Sequence, residues 1–453
     1  MALCLLAFAC VVSAVPNAAA QEGAFGGAYR GLFPPPSIAA SALQPSRANT
    51  SDLSIQAFWL GEVTRSGTSG ANRAAQPASR NTYAGIQAEA ARTHVGERVS
   101  YEVRGSSQFR HQSAAGGLSI DAQWAALSIR ALADARTALS IVQRVSYAPT
   151  FTPGVASVSG SLTGDTPSVA PVPGVEALKN VSIGSAVSVT RQLSHLASAG
   201  FTYSFDRVGF SSTGAAVATH RVLLTLNKSI RRDLSYQLTY ASLWSITTGT
   251  SALSATRSDD VGLALSYAPP RSSRTTLVFG VTPTFARRGE PAGSATATSA
   301  ADRRQMLTLG GWARMAYRLT STWRAEAGYQ RLVYYLPGNS QAIQAHAVNG
   351  GISGGLRSWM TASLTAAYSR GTPDLQQSQG RVTNLSAAAR VDMRLGQSAS
   401  IYAESRFDAY AVAGNIPTLP GLSKNSTRWS LRVGLTVTPE SARLLGKRKP
   451  ARS

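Results

Sequence analysis

Along the stretch ASIYAESRFDAYA (399–411), small or apolar residues alternate with polar ones. Ala399, Ile401, Ala403, Ser405, Phe407, Ala409 and Ala411 share one parity, and Ser400, Tyr402, Glu404, Arg406, Asp408 and Tyr410 share the other. A period of two predicts a β-strand with two unlike faces. The same grammar recurs from Leu53 onward. In LSYQLTYASLWSI (234–246), Leu234, Tyr236, Leu238, Tyr240, Trp244 and Ile246 oppose Ser235, Gln237, Thr239 and Ser245. In WSLRVGLTV (429–437), Trp429, Leu431, Val433, Leu435 and Val437 oppose Ser430, Arg432, Gly434 and Thr436. In LSAAARVDMRL (385–395), Leu385, Val391, Met393 and Leu395 oppose Arg390, Asp392 and Arg394. About eighteen such segments are predicted, with sixteen also compatible, and each reaches the ~9 to 11 residues that a tilted strand needs to cross a bilayer.

The connections alternate too. HVGE, RRD, PRSSR, TST, RSW and GQS are short, whereas 66–81, 151–179, 288–304 and 412–426 are long. This predicts an all-β, antiparallel up-and-down transmembrane barrel with tight turns at one end, longer loops at the other, and both termini on the short-turn side. Tyr236 and Trp244 stand eight residues apart on the apolar face, and Trp323 and Trp359 directly follow short turns. That spacing is about 26 Å along a strand, or near 20 Å after tilt, which suits two aromatic girdles around an apolar band. The apolar face is therefore assigned to lipid and the charged face to a wet interior.

Hydropathy alone would miss such a protein. Mean hydropathy is near zero and 43% of residues are hydrophobic, because alternating faces cancel. The N-terminus MALCLLAFACVVSAVPNAAAQ reads as a secretory signal peptide over 1–20, with Ala18 and Ala20 before the expected cleavage point. Cys4 and Cys10 both lie inside it, so no disulfide framework is expected in the mature chain. Residues 21–50, with FPPPS, read as a flexible periplasmic segment, 51–438 as the barrel, and 439–453 as a basic periplasmic tail.

Net charge is +22, carried mostly by Arg, which predicts an anionic solute or surface as partner. Export argues against nucleic acid. Parity places Glu89, Glu102, Arg104, Asp121, Arg144, Asp206, Arg221, Arg314, Arg318, Arg324, Glu326, Arg390, Asp392, Arg394, Glu404, Arg406, Asp408 and Arg432 on the inner face. Such residues would order polar solutes and favour anions, or would form a solvated wall of ion pairs. His94, His111, His195, His220 and His346 accompany no G-x-S-x-G and no metal-ligand spacing. No enzyme activity, cofactor or metal is expected.

On its signal, strand grammar and loop alternation, the chain resembles bacterial outer-membrane β-barrel proteins of the porin-like group over residues 50–438. The resemblance implies residence in the outer membrane and passive diffusion of small solutes. It also implies contact with outer-membrane lipid and lipopolysaccharide, and insertion by the barrel-assembly machinery. The connection 151–179 occupies the place of the porin constriction loop, with only Asp165 and Glu176 acidic. The last strand ends at Val437 rather than at a terminal Phe and is followed by TPESARLLGKRKPARS. A specialised barrel, serving exopolysaccharide export or scaffolding in the envelope, stands as the alternative.

Overall fold

The computed structural model describes residues 50–67, 79–112, 117–148, 179–211, 214, 216–231, 233–248, 254–268, 274–288, 305–335, 342–373, 380–414 and 424–438. The signal segment, the segment 21–49, the connection 151–178 and the tail 439–453 lie outside the described residues.

Eighteen strands form one sheet. In chain order they are β1 (Thr50–Gly67), β2 (Ser79–Val95), β3 (Val99–Gln112), β4 (Gly117–Leu132), β5 (Thr137–Ala148), β6 (Asn180–Ser194), β7 (Ala197–Phe210), β8 (Ala216–Ser229) and β9 (Leu234–Thr248). The second half comprises β10 (Ser254–Tyr267), β11 (Thr275–Arg288), β12 (Gln305–Arg318), β13 (Trp323–Tyr335), β14 (Ala342–Arg357), β15 (Met360–Pro373), β16 (Arg381–Arg394), β17 (Ala399–Ala413) and β18 (Asn425–Val437). Each strand pairs antiparallel with its sequence neighbours, and β1 pairs with β18 from Ile55↔Val437 to Gly67↔Asn425. Closure removes every open edge, so the backbone groups of the strands are met within the sheet.

The shortest strand, β5, has 12 residues, about 40 Å of chain. Even tilted, it crosses a hydrocarbon layer of roughly 25 Å. No described helix is long and apolar enough to cross a membrane; the strands do so instead. The outer face carries the apolar band. Ile86, Leu309, Val348 and Leu364 are each more than half exposed in the isolated chain, a state that only a lipid surround makes favourable. Trp59, Trp429, Tyr240, Tyr329 and Tyr368 stand on the same face.

The short turns close with hydrogen bonds of their own. In the β4–β5 turn, the Arg136 amide donates to Asp134 Oδ1 at 2.6 Å and the Thr137 hydroxyl to Oδ2 at 3.0 Å. The two bonds, with those from the Arg136 amide leading, hold the Asp134 carboxyl below its ordinary range. In the β12–β13 turn, Thr320 Oγ1 accepts from the amides of Thr322 and Trp323.

One feature departs from a simple two-face rule. Aromatic and aliphatic side chains also occupy the inner face: Phe58, Leu60, Tyr83 and Tyr402 form a buried cluster there, and Trp124 and Tyr410 are likewise buried. Aromatics are therefore not confined to the lipid side. Glycine makes the room for two of them: Phe58 and Tyr402 occupy the space over Gly85 and Gly434, where an added Cβ would run into their rings.

Candidate functional site

Register builds the inner wall in rows, because paired residues on neighbouring strands point the same way. Around the closure seam one row reads Asp392, Tyr402, Gly434, Phe58, Gly85, Arg110. Two residues nearer the long-loop end the row is Arg390, Glu404, Arg432, Leu60, Tyr83. Beyond it stand Arg406 beside Ser430 and Glu62, and then Asp408 beside Arg428. Six strands thus present arginines, carboxylates and aromatic rings on one stretch of wall.

Most of these arginines are neutralised locally. Arg390 donates to Asp392 at 2.7 Å and to Glu404 at 3.3 Å, and its guanidinium lies 4.4 Å from the centre of the Tyr402 ring. Arg406 forks onto Asp408 at 2.7 and 3.0 Å. Arg428 donates to Glu62 at 2.8 Å, and Thr64 donates to the other Glu62 oxygen at 2.8 Å. Arg432 differs. It donates to the neutral Gln87 Oε1 at 3.0 Å and stacks 3.8 Å from the Phe58 ring and 5.6 Å from that of Tyr402. An aromatic face stabilises a cation without cancelling its charge.

Across the ring, the wall from β5 to β10 is sparser. Arg144 on β5 meets Asp206 on β7 at 2.7 Å, with Gly184 of β6 between them in register. Arg221 on β8 acts electrostatically on both Asp206 and Asp260. Glu102 and Arg104 pair along β3 at 2.6 Å. On β12 and β13, Arg318 stands directly opposite Arg324, a like-charge pair eased by Glu326, whose Oε1 lies 2.6 Å from Arg324 Nε. Arg314 and Arg318 are exposed to the interior. Among the described residues, Arg318 and Arg394 have no carboxylate in bonding reach.

Register puts Glu89, Glu102, Arg104, Arg144, Asp206, Arg221, Arg314, Arg318, Arg324, Glu326, Arg390, Asp392, Arg394, Glu404, Arg406, Asp408 and Arg432 on this inner face. Asp121 is the extra residue of a β4 bulge between the pairs Gln108↔Ala122 and Phe109↔Ile120, and its side chain lies outside the described residues. Strand parity alone cannot assign a bulged position. The inner face also holds Glu62, Arg110, Asp260 and Arg428, which the sequence reading passed over. Arg428 and Arg110 share parity with Arg432 and Arg104, so the signal was present. Glu62 was hidden because Phe58 and Leu60 put apolar residues on both faces of β1.

No protein-family model matches the chain, and no curated protein matches it. Among solved structures, the chain is similar to Pseudomonas aeruginosa OccK11 (OpdR), at 13% identity and a TM-score of 0.43, over 86% of this chain and 96% of that one. Pseudomonas aeruginosa OccK9 (OpdG) gives 10% identity and a TM-score of 0.45, over 86% and 98%. Acinetobacter baumannii OccAB3 gives 10% identity and a TM-score of 0.46, over 86% and 99%. These values are too low to transfer residues or substrates. The chain's own closed sheet and exposed apolar band make it a membrane-spanning antiparallel β-barrel.

Proposed function

We propose that the barrel is a passive channel for small polar solutes with a mild preference for anions. Its size supports conduction. Eighteen strands spaced at about 4.8 Å and tilted by about 40° enclose a ring roughly 35 Å across between backbones, wider than wall side chains can fill. The charge pattern carries the preference: among the described residues Arg318, Arg394 and Arg432 make no ion pair with a carboxylate, on a wall where many of the other arginines do. Rows of Arg–carboxylate pairs would order dipolar solutes, and the surplus arginines would favour anions. Arginine suits this role because it stays charged whatever its surroundings. In this reading the seventeen inner-face residues placed by register are pore-lining, the membrane partners are outer-membrane lipid and lipopolysaccharide, and the barrel-assembly machinery inserts the chain.

Single-channel recording of the purified full chain in planar bilayers tests the proposal. Discrete conductance steps, with a reversal potential in a salt gradient displaced toward the anion side, are expected. A barrel that inserts and passes no current would overturn the channel and favour a non-conducting envelope role.

A further inference from the structure

On the outer wall, three basic residues stand side by side on neighbouring strands. Arg331 of β13 is paired with His346 of β14, and His346 with Arg370 of β15. They share the face of the exposed Tyr329, Val348, Leu364 and Tyr368, and so look away from the interior. The Tyr329 hydroxyl is 2.8 Å from His346 Nδ1. When it donates there, the ring's other nitrogen is a hydrogen-bond donor. On the far side of Arg331 the paired residue is Gly311, which leaves a notch beside the guanidinium.

Among the described residues, this positive row has no counter-charge on its own face. The strands β11 to β16 contain two carboxylates, Glu326 and Asp392, and register places both on the inner face. Arg331 Nε is buried without a hydrogen-bond partner. A second outward-facing arginine shows the contrast. Arg257 on β10 forks onto Asp259 at 3.0 and 3.1 Å, and Asp259 also accepts from Ser242 and Tyr240. That cluster is satisfied within the chain; the Arg331–His346–Arg370 row meets no carboxylate among the described residues.

Depth fixes what can complete it. Arg331 lies eight residues beyond Trp323 on β13, about 26 Å along the strand and near 20 Å along the membrane normal. The same spacing separates Tyr236 from Trp244 on β9. The row therefore sits at the upper aromatic girdle, on the long-loop side, where acyl chains give way to headgroups. Uncompensated arginines at that level cost little, whereas at the midplane they cost several-fold more.

We propose that Arg331, His346 and Arg370 bind the phosphate of an anionic lipid in the long-loop-side leaflet, with its acyl chains lying against Tyr368, Val348 and Leu364. Two planar guanidinium groups flanking a ring donor match a phosphate's several acceptor oxygens. The proposal is independent of whether the barrel conducts.

Native mass spectrometry of the full chain in non-ionic detergent, titrated with bisphosphorylated lipid A or with the same lipid stripped of its phosphates, tests it. Wild type should retain the phosphorylated lipid, and R331A/R370A should bind it about tenfold more weakly or worse. R331K/R370K should recover part of the loss, since charge returns without the planar fork. Heat-modifiable gel migration reports that each variant still folds. Inorganic phosphate in excess should fail to displace the lipid, because it has no chains to bury. Equal retention of the two lipids, undiminished binding by the double alanine variant, or displacement by inorganic phosphate would each overturn the proposal.

Discussion

Arg144 and Asp206 belong to strands that do not touch, yet their side chains meet at 2.7 Å over Gly184 of the strand between them. A Cβ at position 184 would stand 2.5 Å from Arg144 Nε and 2.6 Å from Asp206 Oδ1. The ion pair and the glycine therefore depend on each other. Gly184→Ala should displace the pair and cost about 1 to 2 kcal/mol, the worth of one partly screened charge-assisted bond. In an R144A/D206A background the same substitution should be neutral or slightly stabilising, since a strand glycine has no packing of its own to lose. A refolding titration of the four variants measures the coupling. Equal costs in both backgrounds would mean that Gly184 is there for another reason.

Leu364 and Thr365 are neighbours on β15 with opposite surroundings. Leu364 is 53% exposed on the lipid face, whereas Thr365 pairs with Ala388 and Gly351 on the inner wall. Arg at 364 should destabilise by about 2 to 4 kcal/mol, and Arg at 365 by less than about 1 kcal/mol, because only the first meets hydrocarbon. The denaturant midpoint for refolding into vesicles distinguishes them. Thr239 would be a poorer choice of inner position, for its hydroxyl is packed 3.4 Å from the Gly262 carbonyl.

The alternation was readable because lipid and water each select side chains at every second position, so the sequence carries strand, face and closure together. What it did not carry was partnership. Which carboxylate neutralises which arginine depends on register between strands far apart in the chain: Glu62 and Arg428 are brought together only by closure of β1 on β18. The rings over Gly85 and Gly434 were equally hidden, because a glycine's role as a seat for the aromatic ring directly opposite it on the neighbouring strand has no local signature. At Asp121 the bulge broke the parity on which the reading depended.

Asp134 gives the β4–β5 turn a defined pH response. Its carboxylate is held in the charged form first by the Arg136 amide and then by the Thr137 hydroxyl. With the folded value below the unfolded one of about 3.9, the contribution is present above pH ~4 and is lost as pH falls through the folded value. Carboxyl-carbon NMR of the full chain in micelles should show Asp134 titrating at lower pH than a free Asp, and T137A should shift it back upward. An Asp134 that titrates at the ordinary value would remove the turn from any account of acid sensitivity.

Paired and unpaired arginines should contribute differently to selectivity. Arg406 and Asp408 form a closed fork, so R406S/D408S removes one charge of each sign and should leave the reversal potential in a salt gradient nearly unchanged. Arg318 and Arg394 have no carboxylate in reach among the described residues, and Arg432 rests on Gln87 and the Phe58 ring. R318S/R394S, and separately R432S, should move the reversal potential away from the anion side. Each shift should shrink as salt is raised, because the Debye length contracts from about 10 Å at 0.1 M to about 3 Å at 1 M. Should the neutral double substitution shift selectivity as far as R318S/R394S does, the fork at Arg406 would be open in the conducting barrel and its charge available to ions.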